Sequence, residues 1–299
     1  MGSFMIHIPV LLDEVINLLE SVYVGDKCIF VDCTLGEGGH SGAVLRKYEG
    51  ISVVGIERDV IILDRAKKFL EEFEDKISYF NVWFDDFFGE YPLRDKANFI
   101  LVDLGISMFH YKRSGRGFSF LQDEMLDMRL DPSSLSPTAY DIVNTFSKEK
   151  LEKLIYELGD EYYSRKIVKS ILKNRRVKKI ETTLELQNII KRDYPRMDFK
   201  INPATKTFQA LRIYVNDELL RLKRSLPLWL ENLAKNGVLA IITFHSLEDK
   251  IVKEFFKGLD KGLYSVLTKK PIIPSAKEKR YNNASRSAKL RAVKRIEEN

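Results

Sequence analysis

The sequence holds only two cysteines and no apolar run of about 18 or more residues. The second absence excludes a membrane-spanning helix. Asp13 and Glu14, set among the first leucines, exclude a secretory signal. The expectation is a soluble, cytoplasmic protein. Cys28 and Cys33 share one candidate strand without the CxxC spacing of a metal or redox site, so they read as reduced core thiols and no metal is expected. Internal repeats and low-complexity segments are also missing. What is present is 299 residues, 44% of them hydrophobic and 31% charged, enough to bury a full core in one large or two modest domains.

Charge is uneven along the chain. The net +6 comes from the last stretch, residues 269–299, where ten lysines and arginines face three glutamates and leave the remainder at −1. Clustered cations gain from counterion release on a polyanion, so the tail suggests a nucleic-acid partner; a solvated tail is the plain alternative.

Strand-like runs occur at 27–34 (KCIFVDCT), 51–57 (ISVVGIE), 77–82 and 98–104 (NFILVDL), with amphipathic stretches between the first three. This is the pattern of a parallel sheet with helical crossovers. It stops near Tyr111. A helical stretch follows to about Pro203, with Ser136-Pro137 as an N-cap and first-turn proline and Thr182-x-x-Glu185 as a capping box. A strand resembling the earlier ones returns only at 237–244 (GVLAIITF). The expected organisation is an α/β domain at 1–111 and 203–299, interrupted after its fourth strand by a helical insert at 112–202.

The corner DCTLGEGGHS carries Gly36, Gly38 and Gly39, which leave backbone N–H groups and a helix N-terminus open to a ligand. Glu57 ends strand two, 21 residues after Gly36, where an acid accepts from ribose hydroxyls. Phe84 within VWFDDF, with Asp85 or Phe87 beside it, offers a face for an adenine. Asp103 ends strand four. All four features fall at carboxyl ends of successive strands, the edge where open α/β sheets bind ligands. A dinucleotide and S-adenosylmethionine both suit this geometry, but Ser41 stands where the dinucleotide fingerprint needs its third glycine.

Beyond these features, the stretches HIPVLLDEV, DCTLGEGGHS, ILVDLGIS, RGFSFLQDEMLDMRLDP, NPATKTFQALRIYVNDEL, FHSLEDKIVKEFF and RSAKLRAVKR resemble the MraW/RsmH family nearly end to end. The resemblance implies a Rossmann-like class I methyltransferase sheet with a helical domain inserted after strand four. The implied activity is transfer of a methyl from S-adenosylmethionine, leaving S-adenosylhomocysteine, to the N4 of a cytidine in the decoding region of small-subunit ribosomal RNA. The substrate is that RNA, free or in an assembling subunit, and the oligomeric state stays open between monomer and homodimer. By motif, the resemblance assigns the cofactor to Gly38, Gly39, His40, Glu57, Phe84, Asp103 and His110. His110 replaces the family's usual glutamine and Met108 its second serine.

Cytosine N4 is a poor nucleophile, so an acceptor for its N–H and a route for its proton are needed. Asp103 is the first candidate and His245 the second, while Ser246-x-x-Asp249 reads as an N-cap with an acid in the first turn. A base reached by a buried methyl must be flipped or single-stranded, with Phe118 and Phe120 as stacking candidates. Arg116, Arg129, Lys206, Arg212, Arg286, Lys289 and Arg291 are expected to meet RNA phosphates. Arg212 and Asn216, one helical turn apart, suit either an RNA contact or an internal polar network. The basic run 173–179 is a second RNA contact or a charged loop. The alternatives are a catalytically silent RNA-binding protein of the same fold and a nicotinamide-dependent dehydrogenase.

Overall fold

A computed structural model describes residues 8–23, 25, 27–90, 93, 95–194 and 202–296. His7, which opens the first quoted motif, and Glu297 and Glu298 of the basic tail lie outside the described residues. The chain divides into two compact units, one formed by residues 1–107 and 219–299 and the other by residues 108–218.

The first unit runs α1 (Leu12–Glu20), β1 (Cys28–Asp32), α2 (Gly39–Lys47), β2 (Ile51–Ile56), α3 (Val60–Phe69), β3 (Ile77–Phe80), α4 (Phe84–Glu90) and β4 (Ala97–Asp103). Beyond the second unit, α5 (Met108–Lys112), α6 (Ala139–Thr145), α7 (Lys148–Gly159), α8 (Ser164–Arg175), α9 (Thr183–Asp193) and α10 (Thr205–Val215), it resumes along α11 (Glu218–Glu231). It then completes β5 (Leu233–Thr243), α12 (Ser246–Lys257), β6 (Tyr264–Val266), α13 (Ala276–Tyr281) and β7 (Lys289–Arg295).

The strands form one sheet in the order β3-β2-β1-β4-β5-β7-β6, with the first five parallel and β7 antiparallel to both neighbours. Alternation along each strand sends side chains to two cores. Phe30, Phe99, Leu101, Val238 and Ala240 pack with α1, α2 and α3. Val31, Ile100, Val102, Leu239 and Ile241 pack with α4, α11 and α12 through Phe87, Trp229 and Phe256. Burial on both faces explains why these strands read as continuous apolar runs. The result is the mostly parallel α/β sheet expected from the sequence, with helices between strands four and five.

The boundaries of the helical unit differ from those expected. It keeps α10, placed by sequence in the α/β domain, because Gly159 ends α7 without a side chain; a Cβ there would lie 2.6 Å from the Lys206 carbonyl oxygen. That close approach lets α10 pack on α7. α6 is capped by Thr138, whose side chain pairs reciprocally with Asp141, so Ser136-Pro137 precedes the cap instead of forming it. The Thr182–Glu185 capping box opens α9 as expected.

The basic tail departs furthest from expectation, because much of it is core. β7 pairs with β5 from Lys289 to Lys294, and Leu290, Ala292 and Val293 are buried. Asp249 accepts from Arg291 Nε at 2.7 Å and from Lys289 Nζ at 3.0 Å. Burial alone raises the Asp249 carboxyl, but the hydrogen bonds from Arg291 and Lys289 outweigh it and hold the group below its ordinary range. Replacing Asp249 by alanine leaves the buried Arg291 guanidinium uncompensated. Urea unfolding at pH 7 should show a loss of about 3 kcal/mol.

Candidate active site

The carboxyl ends of β1, β2 and β4 meet around the glycine corner. Backbone pairing continues past the strands: Cys33 N–H donates to the Leu101 carbonyl and Leu35 N–H to the Ile56 carbonyl, both at 2.9 Å. The chain then turns with Gly36 at φ 56° and Gly38 at φ 86°, left-handed values that favour glycine. The two residues do different work. A Cβ on Gly36 would meet nothing nearer than the Thr34 carbonyl at 3.8 Å, whereas one on Gly38 would lie 2.8 Å from Leu70 Cδ1. Gly36 keeps open the backbone approach expected of the loop. Gly38 instead lets the start of α2 pack on Leu70.

Three carboxylates converge there. Glu57 Oε2 accepts the Gly36 N–H at 3.0 Å and Oε1 the Asp59 N–H at 2.8 Å, so this acid braces the loop with the oxygens expected to meet a ribose. Each oxygen retains a second lone pair for a ligand hydroxyl. Asp32 Oδ2 accepts from Ser41 Oγ at 2.7 Å, and Oδ1 from Thr34 N–H at 3.3 Å. The Asp103 backbone N–H donates to Thr34 Oγ1 at 2.7 Å, while its Oδ1 accepts from Gly105 N–H at 3.4 Å. His40 Nε2 donates to the Val10 carbonyl at 3.0 Å, leaving Nδ1 facing Asp103 Oδ2 at 3.9 Å.

Burial raises all three acids: Asp32 to about 6, and Glu57 and Asp103 to about 7. Their mutual repulsion adds to this, since the charge on Asp32 pushes both Glu57 and Asp103 upward. Asp32 and its partners Thr34 and Ser41 are the site residues that sequence reasoning passed over. The signal was available, because Asp32 ends β1 as Asp103 ends β4. Ser41, noted only as a missing glycine, is the residue that pins Asp32.

The other expected site residues fall elsewhere. Phe84 opens α4 just beyond β3, its ring 5.7 Å from that of Trp229. Its proposed helpers belong to the fold: Phe87 is core, and Asp85 is buried between Arg221 and Arg224. His245 is not a free base but the N-cap of α12. Its Nδ1 accepts from Glu248 N–H and the Glu248 carboxylate returns to the backbone of His245, moving the cap one residue ahead of Ser246. His110 lies in the helical unit, buried with its ring 5.0 Å from Phe118. Phe118 is itself buried and Phe120 packs edge-on to Phe208.

Most cations expected to meet phosphate are engaged within the protein. Arg116 donates to the carbonyls of Arg129 and Leu130, and Arg129 forks onto Asp127. Lys206 donates to the Asp160 carbonyl. Arg212 forks onto Glu218 and reaches Tyr111, while Asn216 bonds to Met128 and Leu130, which decides for the internal network. Arg291 is buried against Asp249. In the basic run, Arg175 donates to two carbonyls and Lys178 pairs with Glu185. Arg286 is exposed, with no ion pair or hydrogen bond from its side chain among the described residues.

The three raised acids set a sign for stability. Folded, they hold protons up to about pH 6–7, whereas unfolded they release them near pH 4. The ligand-free protein should therefore lose stability as pH rises from about 4 to 7 and level off above, through these groups. Urea titrations across that range should show the fall, and Asp103→Asn should flatten it.

The family model described as the MraW methylase family matches residues 4–296. A protein of Borrelia hermsii named ribosomal RNA small subunit methyltransferase H is 73% identical over 292 residues, covering 98% of each chain. Proteins of the same name are 64% identical in Borreliella afzelii and 62% identical in Borreliella burgdorferi, each over 99% of this chain and all of the relative. With the match spanning both units and the glycine corner with its three acids, this chain belongs to the MraW methylase family.

Proposed function

We propose that the protein transfers the methyl group of S-adenosylmethionine to the exocyclic N4 of a cytidine in the decoding region of small-subunit ribosomal RNA. The observation that carries the cofactor is the trio of buried Asp32 and half-buried Glu57 and Asp103 at one sheet edge, with no lysine or arginine bonded to any of the three among the described residues. Such a cluster favours a ligand of net positive charge, which the methyl donor carries on its sulfonium and ammonium groups. It repels a pyrophosphate, so a nicotinamide dinucleotide does not suit it. The open backbone at Gly36 fits the same ligand.

The bound donor supplies an electrophilic methyl carbon on sulfur. The chain's part is to hold and orient: Glu57 takes the ribose hydroxyls while bracing the corner, Phe84 flanks the adenine, and Gly38, Gly39 and His40 shape the start of α2. Asp103 accepts the N4–H of the incoming cytosine and so localises the nitrogen lone pair. With a carboxyl raised to about 7 by burial, Asp103 is poised to take that proton near neutral pH. The thiols do not compete as nucleophiles. Burial pushes Cys28 to about 11 and Cys33 well above its ordinary value, so neither offers a thiolate for attack on the ring.

Deprotonation of the trio should govern donor affinity. S-adenosylmethionine should bind more tightly as pH rises from 6 to 8, with proton release visible by calorimetry in buffers of different ionisation enthalpy. S-adenosylhomocysteine, whose sulfur is neutral, should show a weaker pH dependence.

The activity is tested with purified protein, labelled donor and small subunits from cells lacking it, followed by mass mapping of the cytidines. N4-methylcytidine in the decoding region is expected, and Asp103→Asn should lower kcat by about 10²–10⁴ while leaving the fold intact. Absence of any methylcytidine, or methylation at C5, would overturn the assignment.

A further inference from the structure

A second polar feature opens on the same edge of the sheet. Immediately after β5, a cavity of about 320 Å³ is lined by His245, Ser246, Lys279, Arg286, Ser287 and Lys289, together with apolar walls. Among the described residues no acidic side chain lines it. Its cations come from three places in the fold: Lys279 from α13, Arg286 from the turn that follows, and Lys289 from the first position of β7. Asp249 pairs with Lys289 as well as with Arg291. The side chains of Lys279 and Arg286 have no ion pair or hydrogen bond among the described residues, so two positive charges remain uncompensated.

A further observation gives this charge a direction. Ser246 begins α12, a helix of 12 residues, so the cavity lies at the positive end of a helix dipole. His245, which caps that helix, is itself taken up by Glu248, whose Oε1 lies 3.1 Å from its Nε2, so the charge offered to a ligand is that of Lys279 and Arg286.

We propose that the cavity seats one phosphodiester group of the RNA substrate, held by Lys279 and Arg286 at the first turn of α12. The assignment rests on the RNA-methyltransferase reading and deepens it. Phe244, another wall of the cavity, packs on Gly105 so closely that a Cβ there would lie 2.8 Å from its ring, and Gly105 is two residues past Asp103. A backbone phosphate seated here anchors the strand beside the edge at which Asp103 receives the base. Phosphate contacts of this kind set register and orientation without reading sequence.

The test compares wild type, the double variant Lys279→Gln/Arg286→Gln, and Lys68→Gln on α3, an exposed cation remote in sequence from the cavity. The double variant should raise KM for small-subunit RNA by about tenfold, and lower the slope of log affinity against log salt by about 1–2. Its affinity for S-adenosylmethionine should be unchanged. Lys279→Met/Arg286→Met keeps the aliphatic stems and should behave in the same way if the glutamine pair melts early. An unaltered salt slope, or an equal loss in Lys68→Gln, overturns the phosphate site. Failure of the wild type to methylate RNA overturns the parent reading instead, so the two outcomes are distinguishable.

Discussion

The site depends on keeping one buried carboxylate, Asp32, and two half-buried ones, Glu57 and Asp103, close together with no lysine or arginine partner among the described residues. Asp32, Glu57 and Asp103 repel one another, and each is held by short-range bonds from backbone N–H groups or hydroxyls instead of by salt bridges. Neutral donors fix the geometry and leave the charge unspent. A lysine in the cluster would quiet the electrostatics, but it would also remove the attraction for a cationic ligand. The glycine corner is part of the same device, because Glu57 can brace the loop only if the Gly36 N–H turns toward it.

Elsewhere the chain follows the opposite policy. Asp249 holds Lys289 and Arg291, Asp85 holds Arg221 and Arg224, and Glu218 holds Arg212. The Asp249 and Asp85 pairs join residues distant in sequence and secure α12 to β7 and α4 to α11. The contrast is local: the acids of these pairs are bonded to cations, whereas Asp32, Glu57 and Asp103 at the carboxyl edge of the sheet are bonded to neutral donors. Lys279 and Arg286 are the cationic counterpart, left uncompensated beside a helix N-terminus on that edge. A positive donor and a negative strand can then approach neighbouring positions without competing for the same charges.

Much of this architecture was legible because it is written in short-range patterns. The four early strands and β5 show as apolar runs, since both faces of the sheet are covered; the glycine corner shows because backbone of positive φ needs glycine; the Thr182 capping box shows in four residues. The errors share one cause. The tail read as a free basic arm because composition cannot reveal that β7 inserts between β5 and β6. Six of the seven cations read as phosphate contacts, all but Arg286, have partners within the protein, which a formal charge does not record.

The sequence alone determined the first five strands and the helices between the first three, the edge at their carboxyl ends, and the carboxylates Glu57 and Asp103 that stand on it, because each follows from the spacing of residues within one or two elements. Tertiary structure decided which charges are spent. Asp32 joined the cluster through Ser41, His245 became a helix cap through Glu248, and Arg291 was committed to Asp249 across 42 residues. Whether a titratable group binds a ligand or a neighbour depends on Coulomb and hydrogen-bond partners that only folding brings within reach.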